Sequence, residues 1–260
     1  MKKIILTILL IFICGVISSF ANKETKALLL KADSAYKAQD FKTAYQLWES
    51  LINKGYITDD LYYNMGNASY RMGDISTAIW FYKKAILLSK YNNNAKDNLN
   101  LLVNKGYAKL LPQPMGFTAF ANNILTAIPY NILFWVTWSV FVLLSLFIFL
   151  FAFKKNSNRA HLFWLIVFSA IFFIYFFSSF IYQNININNS KNAIVATQST
   201  NLYSSPDSLS IAIAIINEGT EVKCIESIGN WQKILTPNQK TGWIQNNNLL
   251  FLKFHLPQSQ

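Results

Sequence analysis

The side chains that could carry out chemistry are few in this chain of 260 residues. It has two histidines, His161 and His255, and twelve acidic residues, which are scattered over predicted helix surfaces and strand turns. An apolar block of membrane-spanning length separates the two histidines, so we do not expect them to share a metal ion or a nucleophilic triad. The sequence also has no glycine-rich phosphate-binding loop. We therefore expect no enzymatic activity, no metal site and no cofactor.

Side chains that suit binding, rather than catalysis, follow one face of a predicted helix. Four residues are spaced at i, i+4, i+7 and i+8: Tyr63, Asn67, Tyr70 and Arg71. Aromatic, amide and guanidinium groups on one face suit an extended or carboxylate-bearing partner. A solvated surface with half-buried tyrosines is the alternative. The corresponding places earlier in the chain hold Asp33, Tyr36 and Lys37.

An internal repeat of 34 residues relates these two sets of residues. Five pairs are identical at this spacing: Tyr36 and Tyr70, Asp40 and Asp74, Thr43 and Thr77, Ala44 and Ala78, and Ile52 and Ile86. Paired helices with this period are the signature of tetratricopeptide repeats, and residues 22–110 resemble that family, with a third helix as a cap. The resemblance implies a groove that binds peptide or protein segments. Gln39 departs from the pattern, since it stands where the second repeat has the turn residue Gly73.

Three apolar blocks account for the 53% hydrophobic content. Residues 1–21 combine two lysines, a short apolar core and small residues at the end, which predicts a secretory signal peptide; an uncleaved anchor is the alternative. Residues 132–153 and 162–182 predict two transmembrane helices. The loop between them, residues 154–161, carries the positive charges Lys154, Lys155 and Arg159, which predicts that it is cytoplasmic and that both flanking domains lie outside the cytoplasm.

Two connecting segments link the predicted membrane helices to the predicted domains. Residues 111–131 begin with two prolines and continue as an apolar stretch, which favours a linker or a segment in the membrane interface. Residues 183–192 predict a linker of about ten residues, which would keep the C-terminal domain near the bilayer. The net charge of +11 is interpreted as a surface that faces anionic lipid headgroups, and no nucleic acid partner is expected.

The C-terminal part has the pattern of a small β-barrel. Short alternating runs separated by turn signals predict five strands within residues 193–250, followed by a tail over residues 251–260. The run resembles a bacterial SH3-like domain, most specifically at Gly242-Trp243-Ile244. Such domains often bind peptides or peptidoglycan bridges. The candidate ligand face consists of Tyr203, Trp231 and Trp243, and both tryptophans are equally consistent with the core.

The order of these parts resembles the BatE proteins of the Bacteroides aerotolerance (Bat) operon family. The predicted fold class is therefore a multidomain membrane protein with α-helical tetratricopeptide repeats, two transmembrane helices and a small all-β SH3-like barrel. The resemblance implies a two-pass scaffold of the bacterial inner membrane, with both domains in the periplasm and a role in oxygen-stress tolerance. Its implied partners are Bat-family proteins with von Willebrand factor A domains. The alternative is an envelope sensor, or a regulator of cell-wall hydrolases, that binds peptidoglycan.

Overall fold

The computed structural model describes residues 23–153 and 159–254. The predicted signal peptide and most of the predicted cytoplasmic loop lie outside the described residues. The contacts divide the chain into two compact units, Met1–Ile57 and Thr58–Gln260, and each unit is described by itself below.

The first unit contains an antiparallel helical hairpin made of α1 (Lys23–Lys37) and α2 (Phe41–Asn53). Small residues allow the two helices to approach closely, since Ala32 and Ala44 are fully buried. The gap beside them is filled by Trp48, which is 1% exposed. At the turn, Gln39 has a φ of 63°. The side chain of Asp40 then caps α2 by accepting a hydrogen bond from the Thr43 N–H at 3.1 Å.

The second unit begins with a hairpin that has the same turn. It consists of α3 (Asp59–Arg71) and α4 (Ile75–Leu88), and α5 (Asn93–Asn104) follows. Gly73 has a φ of 84°, and Asp74 caps α4 by accepting from the Thr77 N–H at 3.1 Å. Residues 39 and 73 therefore share the left-handed backbone conformation that glycine adopts most easily. The departure at Gln39 changes the residue type but not the turn.

Two long helices follow, α7 (Tyr130–Phe153) and α8 (Arg159–Asn188). Both are long and apolar enough to span a membrane, which fits a two-pass membrane protein. At 1.5 Å per residue, α7 is about 36 Å long and α8 about 45 Å long, against a hydrocarbon core of about 30 Å. The length of α8 therefore exceeds the thickness of such a core by about 15 Å.

The C-terminal end of α8 differs from the sequence-based expectation. The helix continues through most of residues 183–192, so that only residues 189–191 separate it from the first strand. Gln183 is buried, and its side-chain amide donates to the carbonyls of Leu125 and Ile128 at 2.8 and 3.0 Å. The Phe254 N–H also donates to the Ile187 carbonyl at 3.2 Å. Because its polar groups find partners, the helix does not end with the apolar run.

A short helix, α6 (Phe117–Leu125), lies against α8 just before α7 begins. The hydroxyls of Tyr175 and Ser179 donate to the carbonyls of Ile124 and Leu125 at 2.7 and 2.5 Å. On the other side of α6, Phe117 and Phe120 are 81% and 61% exposed. Ser179 stands three residues before the end of the apolar run at residue 182, so α6 contacts α8 near the end of that run.

Seven strands form the C-terminal β domain, two more than the sequence pattern predicts: β1 (Asn192–Val195), β2 (Ser199–Tyr203), β3 (Ala212–Asn217), β4 (Glu221–Ile228), β5 (Trp231–Leu235), β6 (Thr241–Gln245) and β7 (Leu249–Phe251). They form one antiparallel sheet in the order β3-β2-β6-β5-β4-β1-β7. The core contains Val195, Leu202, Val222, Ile234 and Ile244. Cys224 belongs to the same core, and burial raises the pKa of its thiol to about 12.

Candidate binding sites

The predicted binding residues of α3 lie beside residues of α5 that the sequence analysis did not select. The Asn67 side-chain oxygen accepts hydrogen bonds from the Tyr82 hydroxyl and from the Asn98 amide, both at 2.8 Å. The ammonium of Lys105, just after α5, lies 3.2 Å from the Tyr70 hydroxyl. We call this surface the α3–α5 face, which consists of Tyr63, Asn67, Tyr70, Asn98 and Lys105.

The α3–α5 face is ordered by the packing beneath it. A Cβ atom added to Gly66 would lie only 2.6 Å from the Tyr82 ring, so the absence of a side chain lets this ring reach α3. Tyr82 then holds Asn67 through its hydroxyl and lies 6.2 Å from the Tyr63 ring. Arg71 is exposed at the end of the same helix. The result is a partly exposed surface of aromatic, amide and cationic groups, which suits an extended or acidic peptide.

The three candidates on α1 have different surroundings. Tyr36 is half-buried, and its ring lies 5.2 Å from the Phe41 ring and 5.7 Å from the Trp48 ring. It therefore packs within the hairpin of the first unit. Asp33 is half-buried and Lys37 is exposed. Of these three candidates, Lys37 is the most accessible to a partner.

The three aromatic candidates of the β domain lie together on the outer face of the sheet. Tyr203 on β2 is directly opposite Trp243 on β6, and Trp243 is directly opposite Lys233 on β5. The Trp231 ring meets the Tyr203 ring edge-on at 5.4 Å. The neighbouring residues Leu202, Ile234 and Ile244 point to the core on the other face.

This arrangement separates the roles of the two tryptophans. Trp243 is 7% exposed, whereas Tyr203 and Trp231 are half-buried. The Lys233 ammonium also lies 5.7 Å from the centre of the Trp243 ring. Tyr203 and Trp231 therefore offer aromatic surface to a ligand, and the more buried Trp243 lies beside Tyr203 on the same face.

A third cluster joins the β domain to α4, and the sequence analysis did not find it. The Lys83 ammonium lies 2.9 Å from the carboxylate of Glu221, which is 1% exposed. Glu221 also accepts hydrogen bonds from the Asn192 side-chain amide at 3.1 Å and from the Leu111 N–H at 3.2 Å. Buried charges are retained when they are paired and hydrogen-bonded in this way.

Two neutral hydrogen bonds extend this contact along α4. The indole N–H of Trp80 donates to the Phe251 carbonyl at 2.8 Å, and the Ser76 hydroxyl donates to the Ala196 carbonyl at 3.2 Å. Gly219 adjoins the backbone of Tyr107 and the side chain of Ile79, so a side chain at this position would collide with both. The name docking interface is used below for the contact made by Ser76, Trp80, Lys83 and Lys84 of α4 with the β domain.

Lys84 lies inside the docking interface and is 7% exposed. Its ammonium is 3.9 Å from the centre of the Trp80 ring, 4.8 Å from that of Phe254 and 5.3 Å from that of Tyr62. Burial lowers the pKa of Lys84 to about 8 and raises the pKa of the Tyr62 hydroxyl. The faces of aromatic rings attract a cation, so the three rings stabilise the charged form that burial disfavours.

The sheet register and the aromatic face lead to the comparison with known families. Residues 198–249 match the bacterial SH3 domain family. This confirms the SH3-like part of the sequence analysis, and the β domain is called the SH3 domain from here on. None of the curated proteins matches this chain closely enough to suggest a relative. A bacterial SH3 domain is consistent with binding of peptidoglycan or protein in general.

Proposed function

We propose that this protein is a non-enzymatic membrane adaptor that binds other proteins through the α3–α5 face and the SH3 domain. The observation that carries this proposal is the docking interface. It holds the SH3 domain on α4 while the α3–α5 face remains partly exposed on a different side of the hairpin. Two binding surfaces held in one unit raise the effective concentration of one for a partner that is bound at the other.

The finer parts of the proposal rest on the sequence. The 34-residue repeat and the shared turns at Gln39 and Gly73 support a tetratricopeptide-type module. The lysines and arginine between the two spans support a periplasmic position for both modules, in a bacterial inner membrane. The order of the parts supports a place in a Bat-type complex for oxygen-stress tolerance, with von Willebrand factor A-domain proteins as partners.

Affinity capture from mild detergent extracts tests the proposal. We expect the wild-type protein to retain a defined membrane protein, and the double variant Tyr70→Ala with Lys105→Ala to retain at least tenfold less of it. The matched control is Tyr91→Ala with Lys96→Ala, which removes a tyrosine and a lysine outside the α3–α5 face. If the wild type retained only chaperones, or if the two double variants lost the partner equally, the adaptor proposal would be contradicted.

A second candidate function is supported by the aromatic surface of Tyr203 and Trp231. Aromatic rings on an open sheet face can stack on sugar rings, and bacterial SH3 domains are consistent with peptidoglycan binding. Sedimentation of the full-length protein with purified sacculi tests this function. Binding that is lost in Trp231→Ala but kept in Tyr70→Ala would support peptidoglycan binding. If no more protein sedimented with sacculi than without them, this function would be contradicted.

A further inference from the structure

Two exposed lysines stand opposite each other where α8 meets the SH3 domain. The antiparallel pairing of β1 with β7 continues just beyond the two strands, since the Leu252 N–H donates to the Asn192 carbonyl at 2.9 Å. The next residue outwards in each segment is a lysine, so the register places Lys191 opposite Lys253. Both side chains are exposed, and these two residues are called the lysine pair.

Cys224 on β4 lies beside both members of the lysine pair. Its backbone N–H donates to the Lys191 carbonyl at 2.6 Å. Burial raises the pKa of the Cys224 thiol, and the charge of Lys253 opposes part of this rise, so the Lys253 ammonium is near the thiol. Among the described residues, no carboxylate lies within 4 Å of the ammonium of Lys191 or Lys253.

The lysine pair concentrates positive charge next to the end of α8. Like charges directly opposite each other on neighbouring strands destabilise a sheet. The acidic residues of β4 do not offset this repulsion, because Glu221 pairs with Lys83 at 2.9 Å and Glu226 pairs with Lys233 at 3.7 Å. Lys223, also on β4, adds a third exposed ammonium to this part of the domain. The arrangement suits an anion that is bound by the two opposed ammoniums.

Two connections hold the lysine pair near the end of the apolar run of α8. Lys191 follows the last residue of α8 by three residues. The Phe254 N–H, next to Lys253, donates to the Ile187 carbonyl at 3.2 Å. Ile187 stands five residues, or about 7.5 Å along the helix, beyond the end of the apolar run at residue 182.

These distances correspond to the layers of a bilayer. The apolar run, residues 162–182, is about 31 Å long, which matches the hydrocarbon core of about 30 Å. The headgroup layer on each side of this core is about 5–7.5 Å thick. The lysine pair therefore lies at the level of the lipid headgroups.

An exposed apolar stripe on α8 leads towards the same place. Its residues are spaced at i, i+3, i+7 and i+11 and are 64%, 46%, 42% and 51% exposed: Ile174, Phe177, Ile181 and Ile185. Asn189, the next position of this stripe, is exposed and stands two residues before Lys191. Inside a bilayer, lipid tails are as apolar as such side chains and cover them. A molecule with an apolar chain and an anionic headgroup fits both features.

We propose that the lysine pair binds the phosphate of an anionic phospholipid whose acyl chains lie against this stripe of α8. Charge-assisted hydrogen bonds from two ammoniums to one phosphate offset the repulsion between them. A lipid with a net negative charge is favoured over a zwitterionic lipid, because the latter brings a cationic group close to the lysine pair. This inference goes beyond the proposed function and does not depend on what the α3–α5 face binds.

Native mass spectrometry of the full-length protein in a neutral detergent, with added lipid, tests the inference. We expect the wild type to bind one phosphatidylglycerol at least fivefold more tightly than it binds phosphatidylcholine. In the double variant Lys191→Gln with Lys253→Gln, this preference should disappear. The matched control is Lys31→Gln with Lys42→Gln, which removes two exposed lysines of the first unit and should keep the preference.

The other outcomes overturn the inference. A wild type that does not distinguish the two lipids would contradict it. Equal loss of the preference in both double variants would show that only the net charge of the protein matters. Inorganic phosphate separates a lipid site from a site for a free anion, because it has the charged group but no acyl chain. We expect an excess of inorganic phosphate to leave phosphatidylglycerol bound, and complete displacement would refute the lipid as the ligand.

Reversal of one charge gives a second measurement in a protein that stays folded. In Lys253→Glu, opposite charges face each other across the strands, so we expect the variant to be at least as stable as the wild type in phosphatidylcholine nanodiscs. Addition of phosphatidylglycerol should raise the thermal unfolding midpoint of the wild type, because a ligand that binds only the folded state stabilises it. The midpoint of Lys253→Glu should not rise. An equal rise in both proteins would show that the lipid stabilises them without the lysine pair.

Discussion

The ammonium of Lys83 on α4 lies 2.9 Å from the buried carboxylate of Glu221 on β4, and this ion pair joins the helical part of the second unit to its SH3 domain. The two residues are far apart in the sequence and belong to different kinds of fold. Glu221 also accepts hydrogen bonds from Asn192, at the start of the SH3 domain, and from Leu111, in the segment that leads to α6. One carboxylate thus connects three parts of the chain.

Removal of one member of this pair should weaken the docking interface. In Lys83→Met, Glu221 keeps its hydrogen bonds but loses its counter-charge, so we expect the free energy of unfolding to fall by about 3–5 kcal/mol. Urea denaturation of the protein in nanodiscs measures this change. The double variant Lys83→Met with Glu221→Gln should recover part of the loss, because no unpaired charge then remains buried.

The exposed pair of Lys54 and Glu24 is the matched control for this experiment. Its atoms lie 2.5 Å apart, but its side chains are 46% and 65% exposed. Water screens such a pair, so Lys54→Met should give no measurable change in stability. If Lys83→Met also left the free energy of unfolding unchanged, the Lys83–Glu221 pair would contribute nothing to docking.

The buried ammonium of Lys84 should make stability depend on pH in an alkaline window. Burial lowers the pKa of Lys84 from 10.5 to about 8 in the folded protein. Between these values the unfolded chain binds a proton that the folded protein does not, so this group makes the folded state more stable as the pH rises. Below pH 8 both states are protonated, and the contribution is constant.

Comparison with Lys84→Met isolates this effect, because every other group titrates in both proteins. We expect Lys84→Met to be at least as stable as the wild type at pH 7, since it removes a buried charge. Its advantage should then shrink by about 1–3 kcal/mol from pH 8 to 10.5. An advantage that does not change across this window would show that the pKa is not lowered.

The turn of the first hairpin should be improved by glycine. Gln39 has a φ of 63°, a conformation in which a side chain is strained. We expect Gln39→Gly to raise the free energy of unfolding by about 0.5 kcal/mol. This net gain is the strain that is relieved at residue 39 minus the additional conformational entropy that glycine loses on folding. The thermal unfolding midpoint measures this gain.

Gly73 provides the reciprocal variant at the same turn of the second hairpin. A Cβ atom at Gly73 would meet no other atom of the described residues within 4 Å, so only the backbone conformation opposes a side chain there. Gly73→Ala should therefore lose about 1 kcal/mol. A loss of stability in Gln39→Gly, or no loss in Gly73→Ala, would contradict the proposed origin of the strain.

The exposed aromatic side of α6 should lie in the membrane interface. We attach a nitroxide spin label in Phe120→Cys, in a protein in which Cys14 and Cys224 are replaced by alanine. Its accessibility to oxygen, which enters the membrane, should exceed its accessibility to a water-soluble nickel complex. The same label in Asn100→Cys, at an exposed site on α5, should show the opposite preference. Equal preference at both sites would place α6 in water.

The sequence predicted the elements whose patterns are local. The apolar runs of α7 and α8, the turn at Gly73 and the SH3-like element around Trp243 each have a signal within a few residues. Gln39 has the same left-handed backbone conformation as Gly73, but its residue type departs from the pattern. The end of α8 was placed too early because its polar residues resemble a linker. Gln183 stays helical there because its amide finds acceptors on another segment.

The docking interface could not be predicted in the same way, because long-range contacts leave no periodic pattern. Indirect signals do exist. Lys83 and Lys84 interrupt an otherwise apolar helix, and Glu221 stands beside core residues of a strand. Asn98 and Lys105 of the α3–α5 face were missed because α5 was interpreted only as a cap. A charged residue at a position where the pattern requires burial indicates a partner elsewhere in the chain.

The distance between two spin labels tests whether the second helical hairpin, α5 and the SH3 domain form one unit, on which the adaptor proposal depends. The labels are attached in Asn100→Cys on α5 and Lys240→Cys in the SH3 domain, both exposed, in the full-length cysteine-free protein in nanodiscs. Pulsed electron paramagnetic resonance should give one narrow distribution of the distance between the two labels. That distribution should broaden in the same doubly labelled protein when Lys83→Met is combined with Trp80→Ala. A broad distribution with the docking interface unaltered would show that the two parts move independently and would contradict the proposed single unit.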